Sequence, residues 1–189
     1  MFEELQATLL EHQGLFCPIV NNIYGICIFI KKNIQINHTG KVLIHDNPRY
    51  VGLGPTHSRY LQWVELIVDD QTYTVVNVHG LWNGAGKTDT SERIAQSQNI
   101  KKFVDTINHK KIICGDFNLR PDTTSFEIIS EGLNDQIQIN NIISTRSKYY
   151  EKYEKFADYI FTSPDLSVND FKVWPDEISD HLPLFLDFQ

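Results

Sequence analysis

Four places in the chain set a polar residue directly against an apolar, strand-like run. His79 follows Tyr73-Thr-Val-Val-Asn-Val78, and Asp116 and Asn118 follow Ile112-Ile113-Cys114-Gly115. Asp158 heads Tyr159-Ile160-Phe161, and Asp180-His181 precede Leu182-Pro183-Leu184-Phe185-Leu186. Strand ends are where α/β sheets present functional groups to a cleft. Taken singly, each has an ordinary structural explanation: a packed histidine, a Gly-Asp turn, an aspartate bonded to backbone, a cap. Together, the carboxylates, the carboxamide and the imidazoles suit a hard divalent cation such as Mg²⁺ or Mn²⁺ with acid–base groups around it. Zinc is disfavoured, because no Cys-x-x-Cys or paired-His spacing is present. Such a site polarises a phosphoryl group while a carboxylate deprotonates water and an imidazole stabilises the developing charge.

The elements that must position these residues are readable from periodicity. Phe2, Leu5 and Leu9 fall at helical spacing, so residues 2–10 read as a short amphipathic helix. Residues 24–30 are an apolar β-rich run, and 61–68 and 73–79 read as a hairpin turning at Asp69-Asp70-Gln71. In the second of these strands Tyr73, Val75, Asn77 and His79 share one face. A helix follows, capped from within Asp89-Thr90-Ser91, with Ile100, Phe103, Val104 and Ile107 at i, i+3, i+4 and i+7. Residues 112–114, apolar on both faces, read as a buried central strand. Pro121-Asp122-Thr123 opens another short helix, and strands are expected over 157–162, 168–174 and 182–188.

With 189 residues, the chain is expected to form one domain, 1–189, against a prior of roughly 150 residues per domain. Hydrophobic and charged fractions of 41% and 22% place it among globular proteins. The net charge of −7 argues against a broad basic surface for duplex DNA but leaves room for a local basic strip. No apolar run approaches the ~20 residues needed to cross a bilayer, and the acidic start lacks signal-peptide order. Cys17, Cys27 and Cys114 are scattered and odd in number, which reads as reduced thiols and a cytoplasmic location.

Gly115-Asp116-Phe117-Asn118, Ala157-Asp158-Tyr159-Ile160-Phe161 and Ser179-Asp180-His181-Leu182-Pro183-Leu184 resemble the last three motifs of the endonuclease/exonuclease/phosphatase family. Asn77-Val78-His79-Gly80 resembles that family's histidine motif, and the order agrees. The resemblance implies a DNase I-like α/β fold: a four-layer sandwich of two packed mixed β-sheets flanked by helices. It also implies phosphoester hydrolysis with Mg²⁺ or Mn²⁺. Asp116 would then align and deprotonate the attacking water, and Asn118 would hold the phosphate or that water. His79 would contact the phosphate, Asp180 would bind the metal directly or through water, and His181, oriented by Asp158, would steady the pentacovalent phosphorus. The family pattern starts with two earlier strands, the second ending in a Gln-Glu pair whose Glu holds the metal. No Leu-Gln-Glu occurs here, and Glu3 and Glu4 sit at a helix start. The resemblance thus implies an N-terminally truncated member with open sheet edges and weakened metal binding: a fragment, a mis-started gene product, or a chain completed by a second copy or another partner.

Two rival readings fail on spacing. Gly84-Ala85-Gly86-Lys87-Thr88 mimics a phosphate-binding P-loop, but the glycine needed five residues before Gly86 is Leu81. An EF-hand starting at Asp116 would need a ligand and a glycine where Arg120 and Pro121 stand. For the substrate, Arg146, Lys148, Tyr149, Tyr150, Lys152 and Tyr153 interleave cations with aromatics, a combination that tracks a phosphate backbone and stacks on bases. Arg59 is a further candidate for neutralising phosphate charge, and Trp82 and Asn83 for lining the cleft. The expectation is a phosphodiesterase acting on nucleic acid. The alternatives are a non-catalytic or partner-completed domain that binds a phosphorylated ligand, and a phosphatase for a small phosphorylated molecule or lipid.

Overall fold

The computed structural model describes residues 1–48 and 56–189. In chain order the elements are α1 (Phe2–Thr8), β1 (His12–Val20), β2 (Tyr24–Lys31), β3 (Gln35–His45), β4 (Arg59–Val68), β5 (Gln71–His79) and α2 (Ser91–Val104). They continue with β6 (Lys110–Asp116), α3 (Thr124–Ser130), β7 (Asn134–Asp135), α4 (Gln136–Ile139), β8 (Asp158–Thr162), β9 (Val168–Val173) and β10 (Leu184–Phe188).

A six-stranded mixed sheet, ordered β3-β4-β5-β6-β8-β7, is the spine. The β4–β5 hairpin turns through Asp69 and Asp70, both at positive φ (48° and 60°), as a tight two-residue turn demands. β5 and β6 run parallel, connected over one face of the sheet by α2. Thr90 caps that helix by accepting from the Arg93 amide, and Lys101 and Lys102 sit in its last turn, where cations complement the helix dipole. Ile100 and Val104 of α2 share a core with Leu61, Val76, Val78 and Ile113 of the sheet, all nearly inaccessible to solvent. Alternation places Tyr73, Val75, Asn77 and His79 on the opposite face, where two hairpins cover the sheet. Asn77 Nδ2 donates to Cys27 O at 3.2 Å and Gln62 Nε2 to Leu15 O at 2.8 Å, joining β1–β2 to it. Phe188 of β10 packs on Tyr73 with ring centroids 5.5 Å apart, joining β9–β10 to it.

The architecture is the expected mixed α/β sandwich. Its second layer consists of two separate two-stranded pieces, and among the described residues β1, β2, β9 and β10 each keep one unpaired edge.

The close approach of β5 to β6 depends on Gly115. Its φ of +134° is unfavourable for any side chain, and an added Cβ would lie 2.0 Å from Val78 O. Gly115→Ala is expected to cost about 3 kcal/mol or more through strain and a forced shift of the ladder. Urea unfolding checks this, and a loss under about 0.5 kcal/mol would mean that the two strands separate without penalty.

Candidate active site

Strand register assembles the centre of the site. In the parallel β5–β6 ladder His79 stands opposite Asp116, and in the antiparallel β6–β8 ladder Asp116 stands opposite Asp158. Three chemically active side chains thus line up across three neighbouring strands, about 4.8 Å from one to the next. The fourth comes from a segment that is not a strand. Leu182 N donates to Thr145 O and Ser147 N to Asp180 O, so residues 180–182 are tied to 145–147 and His181 is set above the row. His181 Nδ1 lies 2.8 and 2.9 Å from the two carboxylate oxygens of Asp158.

Asp116 is held with one oxygen used and one free. Its Oδ1 accepts the Asn118 amide at 2.9 Å, made possible by the positive φ (53°) of Asn118. The Asn118 carboxamide in turn donates to Gly80 O at 3.2 Å. Asp116 Oδ2 faces two imidazole nitrogens, His79 Nε2 at 4.0 Å and His181 Nε2 at 3.9 Å. Asp180 Oδ2 lies 3.8 Å from the same His181 nitrogen and accepts Arg146 Nη1 at 3.2 Å.

The two histidines carry opposite electrostatics. Burial, reinforced by the nearby Arg59 guanidinium, pushes His79 down to about 4, so it is neutral at physiological pH. Burial also acts to lower His181, but the hydrogen bond and charge of Asp158, with the charge of Asp116, outweigh it and hold His181 above the ordinary value. Tyr24 Oη stands 3.1 Å from His79 Nδ1, with the Arg59 guanidinium near enough to act on it electrostatically. A Tyr24 hydroxyl that donates to His79 Nδ1 would leave the imidazole proton on Nε2, toward Asp116.

A histidine kept neutral in the folded state binds fewer protons than the unfolded chain below its ordinary value near 6.5, so its contribution to stability is lost as pH falls from about 6.5 toward 4. With EDTA present, wild type is expected to lose about 2 kcal/mol more than His79→Gln between pH 7.5 and 5. Parallel urea titrations of the two proteins would show an unchanged gap if His79 titrated normally.

The structure brings His79, Asp116, Asn118, Asp158, Asp180 and His181 together. Arg146 and Trp82 line the adjoining cleft, which has a volume of about 200 Å³. Lys148 turns away and pairs with Glu177, and Lys152 occupies the rim instead. Arg59 is buried beside Tyr24, behind His79, and Asn83 bonds the α2 cap residue Thr90. Glu3 and Glu4 lie exposed on α1. Two cleft residues stand outside the sequence-based set. Tyr24 had no signal beyond opening an apolar strand. Lys87 had one, the Gly86-Lys87 pair, set aside with the P-loop.

Asp116, Asp158 and His181 offer ligand atoms within 4.8 Å of one another. With His181 Nδ1 engaged by Asp158, the donors facing the cleft are the carboxylate oxygens of Asp116 and Asp180, with His181 Nε2 beside them. That set fits a hard divalent cation.

Comparison with known proteins agrees with the fold. The model of the endonuclease/exonuclease/phosphatase family matches residues 3–181. The endonuclease/exonuclease/phosphatase from Bacteroides vulgatus superposes with a TM-score of 0.78 at 17% identity, covering 100% of this chain and 80% of that one. The mannosyl-6-phosphatase of Bacteroides thetaiotaomicron gives the same TM-score, 0.78, at 17% identity and the same coverage, 100% and 80%. TDP2 from D. rerio, complexed with a single-strand DNA product, superposes at 0.75 with 14% identity, covering 99% of this chain and 80% of that one. No curated protein matches the chain.

Proposed function

The chain belongs to the endonuclease/exonuclease/phosphatase family of phosphoesterases, and from that premise we propose that it is a Mg²⁺-dependent phosphodiester hydrolase with nucleic acid as its leading substrate. One observation carries the reading: Asp116 presents a free carboxylate oxygen between two imidazole nitrogens, at 4.0 and 3.9 Å. A water seated there can give its proton to Asp116 Oδ2 as it attacks phosphorus. Asn118 keeps the carboxylate in place by bonding Oδ1. Neutral His79 offers Nε2–H to a phosphoryl oxygen without adding a charge. His181, whose affinity for a proton Asp158 raises, faces the negative charge that builds in the transition state. A Mg²⁺ held at Asp180 would add Lewis-acid polarisation of the phosphoryl group. Preference for nucleic acid is supported by the aromatic and cationic rim, Trp82, Tyr150 and Lys152, and by a DNA-bound structural neighbour.

The test is hydrolysis of bis(p-nitrophenyl) phosphate and of a single-stranded oligonucleotide by the purified chain, in Mg²⁺ and in EDTA. Turnover that needs Mg²⁺ and is stronger on the oligonucleotide is expected. A folded chain without Mg²⁺-dependent turnover would instead be a phosphate-ligand-binding domain, and turnover confined to monoesters would make it a phosphatase.

A further inference from the structure

The loop between β5 and α2 delivers a lysine to the cleft without a carboxylate in direct contact. Lys87 is 1% exposed, yet its ammonium makes a single hydrogen bond, to the neutral Tyr150 hydroxyl at 3.0 Å. Among the described residues no carboxylate comes within ion-pair distance of it. Glu154, the buried acid nearby, is engaged by Tyr150 Oη at 3.3 Å. Arg146 shares the same aromatic ring, its guanidinium 4.4 Å and the Lys87 ammonium 4.5 Å from the Tyr150 centroid. Arg146 is paired on one nitrogen with Asp180, and its buried Nε has no hydrogen-bond partner. A buried cation with no directly paired carboxylate is costly, and a functional site is where such a cost is retained.

The backbone is arranged to keep Lys87 there. Gly86 turns the chain at φ +64°, Lys87 O accepts the Arg120 amide at 3.0 Å, and Thr88 O accepts Arg93 Nη1 at 2.6 Å. The first of these bonds ties the loop to the segment that carries Asn118. Lys87 and Arg146 bond neither His79, Asp116 nor Asp158; they flank the part of the cleft that runs from Asp180 to Tyr150 and Lys152.

We propose that Lys87 and Arg146 form a second anion-binding position beside the scissile phosphate, so that preferred substrates carry another phosphate next to the ester being cleaved. The inference rests on the phosphoesterase reading and narrows its substrate class. Either a small bisphosphorylated ester or the neighbouring phosphate of a polynucleotide strand supplies this chemistry. Consistently, burial lowers Lys87 to about 8, a value that a bound dianion would raise.

Two measurements test it. First, the full chain in EDTA is titrated calorimetrically with inorganic phosphate and with pyrophosphate. Pyrophosphate is expected to bind at least about tenfold more tightly, and Lys87→Met to remove that preference. In case the variant does not fold, wild-type protein labelled with ¹⁵N at lysine Nζ is titrated as well. One Nζ signal should shift with pyrophosphate and stay in place with phosphate at equal occupancy. Equal affinities, a preference surviving in Lys87→Met, loss of both ligands equally, or no selective Nζ shift would each overturn the second position. Second, hydrolysis of TpT, of its 5′-phosphorylated form and of a 12-nucleotide strand is compared in Mg²⁺. A tenfold gain from the 5′-phosphate on the dinucleotide identifies the small bisphosphate source, and a gain only on the strand identifies the polynucleotide. Pyrophosphate preference without hydrolysis of any diester would sink the hydrolase reading and leave the anion position standing.

Discussion

Asp116→Asn lowers kcat by about 10³–10⁴-fold while the fold survives, as expected if Asp116 Oδ2 is the proton acceptor for the attacking water. The substitution keeps the shape and still lets the side chain accept the Asn118 amide, which the wild-type carboxylate holds at 2.9 Å. What disappears is the basicity of the oxygen facing His79 and His181. Removing this charge also relieves repulsion within a group of acids that includes Asp158 and Asp180, so the melting temperature should hold or rise by up to about 5 °C. Steady-state kinetics beside a thermal melt reads both numbers. Near-normal kcat would remove Asp116 from the chemistry, and a lost melt would show that its role is architectural.

The second large effect is expected at His181. His181→Ala should reduce kcat by about 10²–10³-fold, because the imidazole proposed to face the phosphoryl group is lost. It also strips Asp158, 9% exposed, of its imidazole partner. A buried carboxylate left alone is destabilising until it takes up a proton. The folded variant then binds more protons than its unfolded chain, so the stability gap from wild type should narrow as pH falls from about 6.5, below which the raised His181 of wild type gives no further gain, toward 4.5. The double variant Asp158→Asn/His181→Ala should be no slower than about threefold below the single one, since the pair acts as a unit. Fully multiplicative losses would mean that Asp158 and His181 act separately.

The site was legible where a functional residue directly abuts an apolar run. His79, Asp116, Asp158 and Asp180-His181 stand out that way, and register then places the first three side by side. The hairpin at Asp69-Asp70, the Thr90-capped helix and the short central strand were equally readable, because turn chemistry, capping and burial all leave local marks. β1 and β3 were not. Gly14 and Pro18 interrupt the first, and Asn37-His38-Thr39-Gly40 breaks the apolar alternation of the second. Their strand state comes from pairing with β2 and β4, a tertiary effect that no short window contains. Tyr24 and Lys87 were missed for a related reason: each reaches the site by folding of a connection, Tyr24 from the head of β2 and Lys87 around Gly86. The cations and aromatics of the Arg146–Tyr153 strip were visible in the sequence, but not that Lys148 pairs with Glu177 while Arg146 and Lys152 line the cleft.

The two sides of the cleft are built from material of different mobility. His79, Asp116 and Asp158 belong to central strands whose core neighbours, Val78, Ile113 and Tyr159, are almost wholly inaccessible. Amide hydrogens there can exchange with solvent only when the whole sheet opens, so the chemical half of the site persists up to the denaturant concentration at which the domain itself is lost. The opposite wall includes the irregular stretch 148–153, where Tyr149 and Tyr153 are exposed. It opens locally at far lower energy and tolerates substitution accordingly. Substitutions in that stretch can therefore change what enters the cleft while the row His79, Asp116 and Asp158 stays in place.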